Sequence, residues 1–191
     1  SVKRLSFFGA FNIDNNGLSH ISNLTQLEEL NLWRTNISTE GVKHIANLVN
    51  LKELELSGTK VTGNDFVHLA NLVNLQTLKV SRIQINTEDL KHITKFSTLK
   101  NLEIDCRNFT EADFKQISTM KSLEHLELYD IELSDENISQ ISSLKSLNNL
   151  KKLEIGGRGI TDASVPFLKE FKCIEIDGLY STSISESGKN E

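Results

Sequence analysis

LEELNL, running from Leu27 to Leu32, returns as LKELEL at Leu51, LQTLKV at Leu75, LKNLEI at Leu99 and LEHLEL at Leu123, each step being 24 residues. Two later copies are LKKLEI at Leu150, 27 residues on, and a degenerate FKCIEI at Phe171, 21 residues after that. Upstream, VKRLSF at Val2 stands 25 residues before Leu27. Self-similarity at such a period marks an architecture of stacked units. Eight strand units occupy the chain to Asp177, which predicts one repeat domain over residues 1–177. Beyond it, GLYSTSISESGKNE is polar and lacks the period, so residues 178–191 are expected to be disordered.

Each unit contains more than its strand. Five residues after the last apolar strand position comes another apolar residue: Ile37, Val61, Ile85, Phe109, Leu133 and Ile160. A Ser, Thr or Asn follows at once (Ser38, Thr62, Asn86, Thr110, Ser134, Thr161), and these residues suit a helix N-cap because their side chains accept from an unpaired backbone N–H. Asp65, Asp89 and Asp113 lie three residues further on, echoing the capping box with Asp in place of Glu. Apolar residues then recur at helical spacing, as in Val42, Ile45 and Leu48, which predicts a helix of about three turns. In the last unit Pro166 falls inside this helix and is expected to damage it. No unit can cover its apolar side alone, but stacked units share one core. The expected fold is an α/β solenoid: a right-handed arc with a parallel sheet on the concave face and helices on the convex face.

These units resemble leucine-rich repeats, and NISTEGVKHIANLVNLKELEL (Asn36 to Leu56) is similar to the GALA subclass with its 24-residue period. The resemblance covers residues 2–177. The composition is also similar to that of leucine-rich-repeat effectors of intracellular bacteria. It implies a protein-binding module, an effector-type adaptor or inhibitor that regulates its partner, and not an enzyme. An alternative is the substrate-recruiting repeat domain of a larger, F-box-like ubiquitin ligase, although no F-box helix set stands in this sequence. The asparagine usual three residues after the strand is replaced by Thr35, Thr59, Ile83, Arg107, Ile131 and Arg158, so the family's asparagine ladder is not expected.

The net charge of −5 speaks against nucleic acid, which requires a basic surface. No apolar run reaches the roughly 18 residues of a membrane helix, so no membrane partner is expected. Cys106 and Cys173 are too few for a disulfide framework, are expected to remain free thiols, and fit a reducing compartment, the cytosol or a host cell's cytosol. The chain starts at Ser1 and is strand-like by Val2, so targeting information is expected to be missing from this sequence.

Period 2 within the strands turns three residues per unit to the open face. Among them are nine acidic residues and three basic ones, so the whole net charge can be assigned to this surface. The candidate partner-binding residues are Phe8, Glu29, Trp33, Glu53, Glu55, Lys79, Glu103, Asp105, Glu127, Tyr129, Glu154 and Glu175. Glu55, Glu103, Glu127, Glu154 and Glu175 form a column, interrupted by Lys79, on strands about 4.8 Å apart, where like charges repel unless a partner relieves them. Phe8, Trp33 and Tyr129 supply aromatic anchors. The expected partner is a protein with a basic or donor-rich surface, with an enzyme among the candidates; no small-molecule substrate, metal or cofactor is expected. His20, His44, His68 and His92 occupy one repeat position, but helices about 8–10 Å apart cannot bring them around one ion. Cys106 and His125 lie in adjacent units but are offset by five residues, roughly 16 Å along the sheet, too far for a nucleophile and its base.

Overall fold

The computed structural model describes residues 2–155, 159–171, 182–185 and 187–188. Among these, seven strands form one parallel sheet in sequence order: β1 (Arg4–Ser6), β2 (Glu29–Asn31), β3 (Glu53–Glu55), β4 (Thr77–Val80), β5 (Asn101–Asp105), β6 (His125–Tyr129) and β7 (Lys152–Ile155). The eighth strand expected from FKCIEI, with Cys173, Glu175 and Asp177, lies outside the described residues, as do Gly156 and Arg158. The register keeps repeat positions aligned: Leu30, Leu54, Leu78, Leu102, Leu126 and Leu153 are successive partners, all at most 2 % exposed. Each such burial contributes about 2 kcal/mol, and one continuous cluster runs from Leu18 to Ile184.

The helices are shorter than the apolar spacing predicts. Those following β1, β2, β4 and β5 are α1 (Asn15–Ser19), α2 (Thr39–Ile45), α3 (Thr87–Ile93) and α4 (Glu111–Ile117). Units three and six carry 3₁₀ helices instead, over Gly63–Leu69 and Ile138–Ser146. After Ile45 the chain continues in tight turns, with Leu48 N–H donating to Ile45 and Leu51 N–H to Leu48, so Leu48 is buried without being helical. The segment holding Pro166 is short and changes type ahead of it: a 3₁₀ turn over Asp162–Ser164 passes into α5 (Val165–Leu168), and Pro166, which lacks a donor, stands in the first turn of α5.

The capping carboxylates appear as the spacing predicts in units three to five. Asp65, Asp89 and Asp113 each accept from the backbone N–H of the cap residue three positions earlier, at 2.8, 2.9 and 2.8 Å. All three are buried. Unit two lacks this acid and carries Gly41 there; instead Asn15 of the preceding unit accepts from Ser38 N–H at 2.9 Å and donates to Ser38 Oγ at 2.8 Å. Asp135 serves Thr161 in the same cross-unit manner, accepting from its N–H at 3.0 Å and its hydroxyl at 2.6 Å, and these donors with Ser164 hold its carboxyl below the usual range. Ser134 N–H donates to Asn137 Oδ1 as Thr62 N–H does to Asp65, but the 3₁₀ helix starts only at Ile138, so Asn137 and not Ser134 stands at the N-cap.

The same device recurs in the described part of the tail. Thr182–Ser185 repeats the pattern of Thr35–Ser38. Ser183 N–H donates to Ile160 as Asn36 N–H does to Ile13, Ile184 is buried like Ile37, and Asp162 accepts from Ser185 N–H at 2.8 Å. These residues are the turn of a further unit, and the long degenerate stretch before them hid the period.

A different row of asparagines, placed just before the strand phrases, ties neighbouring units together. Asn50, Asn74 and Asn149 donate across the stack to Thr25, Val49 and Lys121 carbonyls, with Thr98 donating to Val73 in the same row. Beside it runs an ion-pair row: Glu28 between Lys3 and Lys52, and Glu124 between Lys100 and Lys151. Hydrogen bonds from the paired lysines lower the Glu28 and Glu124 carboxyls from 4.5 to about 2. A depressed folded pKa means stabilisation present above pH 4.5 and lost as pH falls towards about 2. The melting temperature is therefore expected to drop across that window. A variant with Glu28→Gln and Glu124→Gln should show a shallower drop, and high salt should narrow the difference because these pairs face solvent. Identical pH profiles for the two proteins would remove the row as a source of stability.

Candidate functional site

The exposed sheet face carries the sequence-predicted residues in strict columns, because register pairs Glu29 with Glu53, Glu55 with Lys79, Lys79 with Glu103, and Glu103 with Glu127. The fold neutralises part of this column. Lys79 Nζ stands 3.2 Å from Glu103, and although burial pulls its ammonium down, Glu103, Glu55 and Glu127 outweigh that and raise its pKa. Tyr129 donates its hydroxyl to Glu127 at 3.0 Å, and Arg4 lies 3.6 Å from Glu29.

Glu154 is a correction. It is only 6 % exposed and is ion-paired with Lys152, so it is not displayed to a partner. Glu175 lies outside the described residues. Glu55 remains half-buried with no cation at ion-pair distance among the described residues. Burial raises its pKa, opposed by the Ser57 N–H that it accepts at 2.7 Å. Asp105 is likewise raised by burial and by Asp130, opposed by Arg82 N–H at 2.7 Å.

Two of the expected aromatic anchors pack on each other. Phe8 stacks on Trp33 with ring centroids 4.2 Å apart and planes 10° apart. Arg34 places its guanidinium 4.4 Å from the Trp33 centroid, and its stem crosses towards β3 over Gly58, where a Cβ would stand 3.1 Å from Arg34 Cγ. Arg34 and Gly58 both have positive φ, 53° and 68°, in the turn that ends the strand; glycine adopts this conformation freely, whereas arginine does so at a cost. Trp33 is thus covered from β1 by Phe8 and from β3 by Arg34. Among the described residues, Phe8 at 63 % and Phe11 at 73 % are the exposed phenyl rings. Phe11, in the turn after β1, was not predicted because it falls outside the strand columns.

Among the described residues, a groove of ≈ 340 Å³ lies along the face over β1–β4 and another of ≈ 280 Å³ over β4–β6. Cys106 and His125 are not brought together: β5 and β6 pair Asn101 with His125 and Asp105 with Tyr129, leaving the cysteine at the opposite end. Cys106 is a free, buried thiol, and burial, Asp105 and Asp113 push its pKa well above the ordinary value. His20 and His68 are exposed and His44 and His92 half-buried; no group of three metal-ligating side chains converges among the described residues.

Residues 5–176 match the leucine-rich repeat region family. The chain belongs to the leucine-rich-repeat family. This leucine-rich-repeat chain is similar to the crystal structure of internalin C2 from Listeria monocytogenes, with a TM-score of 0.69 and 22 % identity over 97 % of this chain and 74 % of that one. It is also similar to internalin F from the same organism, with a TM-score of 0.54 and 20 % identity over 97 % of this chain and 62 % of that one. At such identities the likeness shows the fold alone. No curated protein matches the sequence. Leucine-rich-repeat domains are protein–protein interaction modules and typically non-enzymatic scaffolds.

Proposed function

We propose that this chain is an adaptor or inhibitor that binds a protein with a basic or donor-rich surface on its concave face. The observation that carries this reading is the charge of the sheet: acidic residues outnumber basic ones on the one broad surface the fold leaves open. Seven strands at about 4.8 Å span near 30 Å, enough for an interface of standard size. An enzyme whose active site is covered by the arc fits this geometry. The 24-residue period with Gly41 in its helix and Ala46 at the C-cap supports a GALA-like, effector-type origin, and a buried, unpaired Cys106 is compatible with a cytosolic setting.

Acidic side chains steer encounter, and anchored aromatics slow release. The partner is to be isolated by crosslinking at the concave face and then studied by binding kinetics at two salt concentrations. Glu103→Lys with Glu127→Lys should slow association and reduce its salt dependence. Trp33→Ala should speed dissociation, because it removes the support of Phe8 and a contact worth about 2 kcal/mol. Unaltered kinetics for both would move the site to the helices or loops and end this reading.

A further inference from the structure

The acids of the concave face differ in their company. Over β5–β7, Glu103 is held by Lys79, Glu127 accepts from Tyr129, Glu154 is buried beside Lys152, and Asp105, which makes no ion pair, accepts from Arg82 N–H with the Arg107 and Arg82 guanidinium charges in its field. Over β1–β4, Glu53 and Glu55 have no ammonium or guanidinium at ion-pair distance among the described residues. Lys79, opposite Glu55 in register, turns instead to Glu103. Both acids line the ≈ 340 Å³ groove, Glu53 exposed and Glu55 half-buried, while Arg4 and Lys79 on the same lining turn to Glu29 and Glu103. At the end of these strands Phe8 is pinned flat against Trp33 yet 63 % exposed, with Phe11 at 73 % in the adjoining turn. A half-desolvated carboxylate without a counter-ion is costly, and an incoming cation relieves that cost. A rigid, exposed ring loses little entropy when an apolar side chain covers it.

Resting on the binding role proposed above, we infer that recognition is confined to the β1–β4 half and that the partner enters it with a Lys or Arg next to an apolar side chain. The cation takes Glu53 and Glu55, and the apolar group packs on Phe8. A second copy of this chain is disfavoured as occupant, since it would bring the same acids against this face.

The test is an NMR titration of the ¹⁵N-labelled chain with benzamidinium, a planar cation fused to an apolar ring, with neutral benzamide as control. Benzamidinium should shift the amides of Phe8, Glu53, Glu55 and Ser57 saturably, and benzamide should not. Glu53→Gln with Glu55→Gln should weaken the apparent affinity about tenfold or abolish saturation, whereas Glu111→Gln on the convex side should not. The spectra themselves report whether each variant is folded. Shifts centred on β5–β7 would overturn the confinement while leaving a cation-binding concave face intact. Absence of saturable shifts anywhere on the sheet would overturn both. Concentration-dependent shifts without any probe would identify self-association and overturn the assigned occupant.

Discussion

Leu78→Asp is expected to unfold the central units at room temperature, or to lower their melting transition by well over ten degrees. Leu78 is fully buried in β4 between Leu54 and Leu102, its register partners on either side. A carboxylate there would lose the leucine's transfer energy and find no cation among its apolar neighbours, together costing about 4–5 kcal/mol. In a stack, each unit depends on its neighbours, so the loss should spread through β3 and β5 before it reaches the ends. Circular dichroism melts and hydrogen exchange would show this. An unchanged melting temperature would mean that Leu78 does not face the core and that the register is wrong.

Gly63→Ala is the second large effect, and it comes from a methyl group. A Cβ on Gly63 would stand 2.0 Å from Asp89 Oδ2 and 2.5 Å from Asp89 Cβ. The acid cannot swing away: it is buried, it accepts from Asn86 N–H, and its Cβ is fixed to the helix backbone. Overpacking of this kind should cost about 3 kcal/mol, roughly 9 °C in a chain of this length. The double variant Gly63→Asp with Asp89→Gly should recover part of the loss. It moves the carboxylate one unit back, the arrangement that Asp162 and Gly188 already use, where a Cβ on the glycine would meet Asp162 Oδ1 at 2.3 Å. If Gly63→Ala melts with the parent protein, the unit-to-unit contact described here does not limit stability.

The strands, their parallel order and the leucine columns were legible because each 24-residue copy repeats the same period-2 pattern, and parallel stacking leaves register no freedom. Helix length was less legible, since buried Leu48 and Leu72 continue an apolar spacing that successive turns can satisfy as well as a helix. Cross-unit bonds were read least well. Nothing in the one-dimensional pattern says that Asn15 caps Ser38, although the glycine at Gly41 marks the place where such a side chain must fit. On the sheet face, strand register aligns the described residues of each column, but side-chain pairing was not foreseen: Lys152 pairs with Glu154, and Phe8 and Arg34 flank a half-buried Trp33. Such pairings depend on rotamers that the one-dimensional pattern does not specify.

The capping contacts also determine where this gene could have grown or shrunk. At three of the described junctions the first helical residue of one unit and the third of the next share a space that only one of them fills: Asn15 over Gly41, Asp89 over Gly63 and Asp162 over Gly188, whereas Thr39 with Asp65 and Thr87 with Asp113 carry a side chain on both sides. Excising residues 75–98 would bring Gly63 against Asp113, a match of the kind already found between Gly63 and Asp89. Excising residues 27–50 would instead set Asn15 against Asp65, two side chains competing for the same volume. Duplication and recombination of whole units would therefore be tolerated in the middle of the arc and resisted at its start, which leaves the first units, with their aromatic ledge, as the part least free to be shuffled.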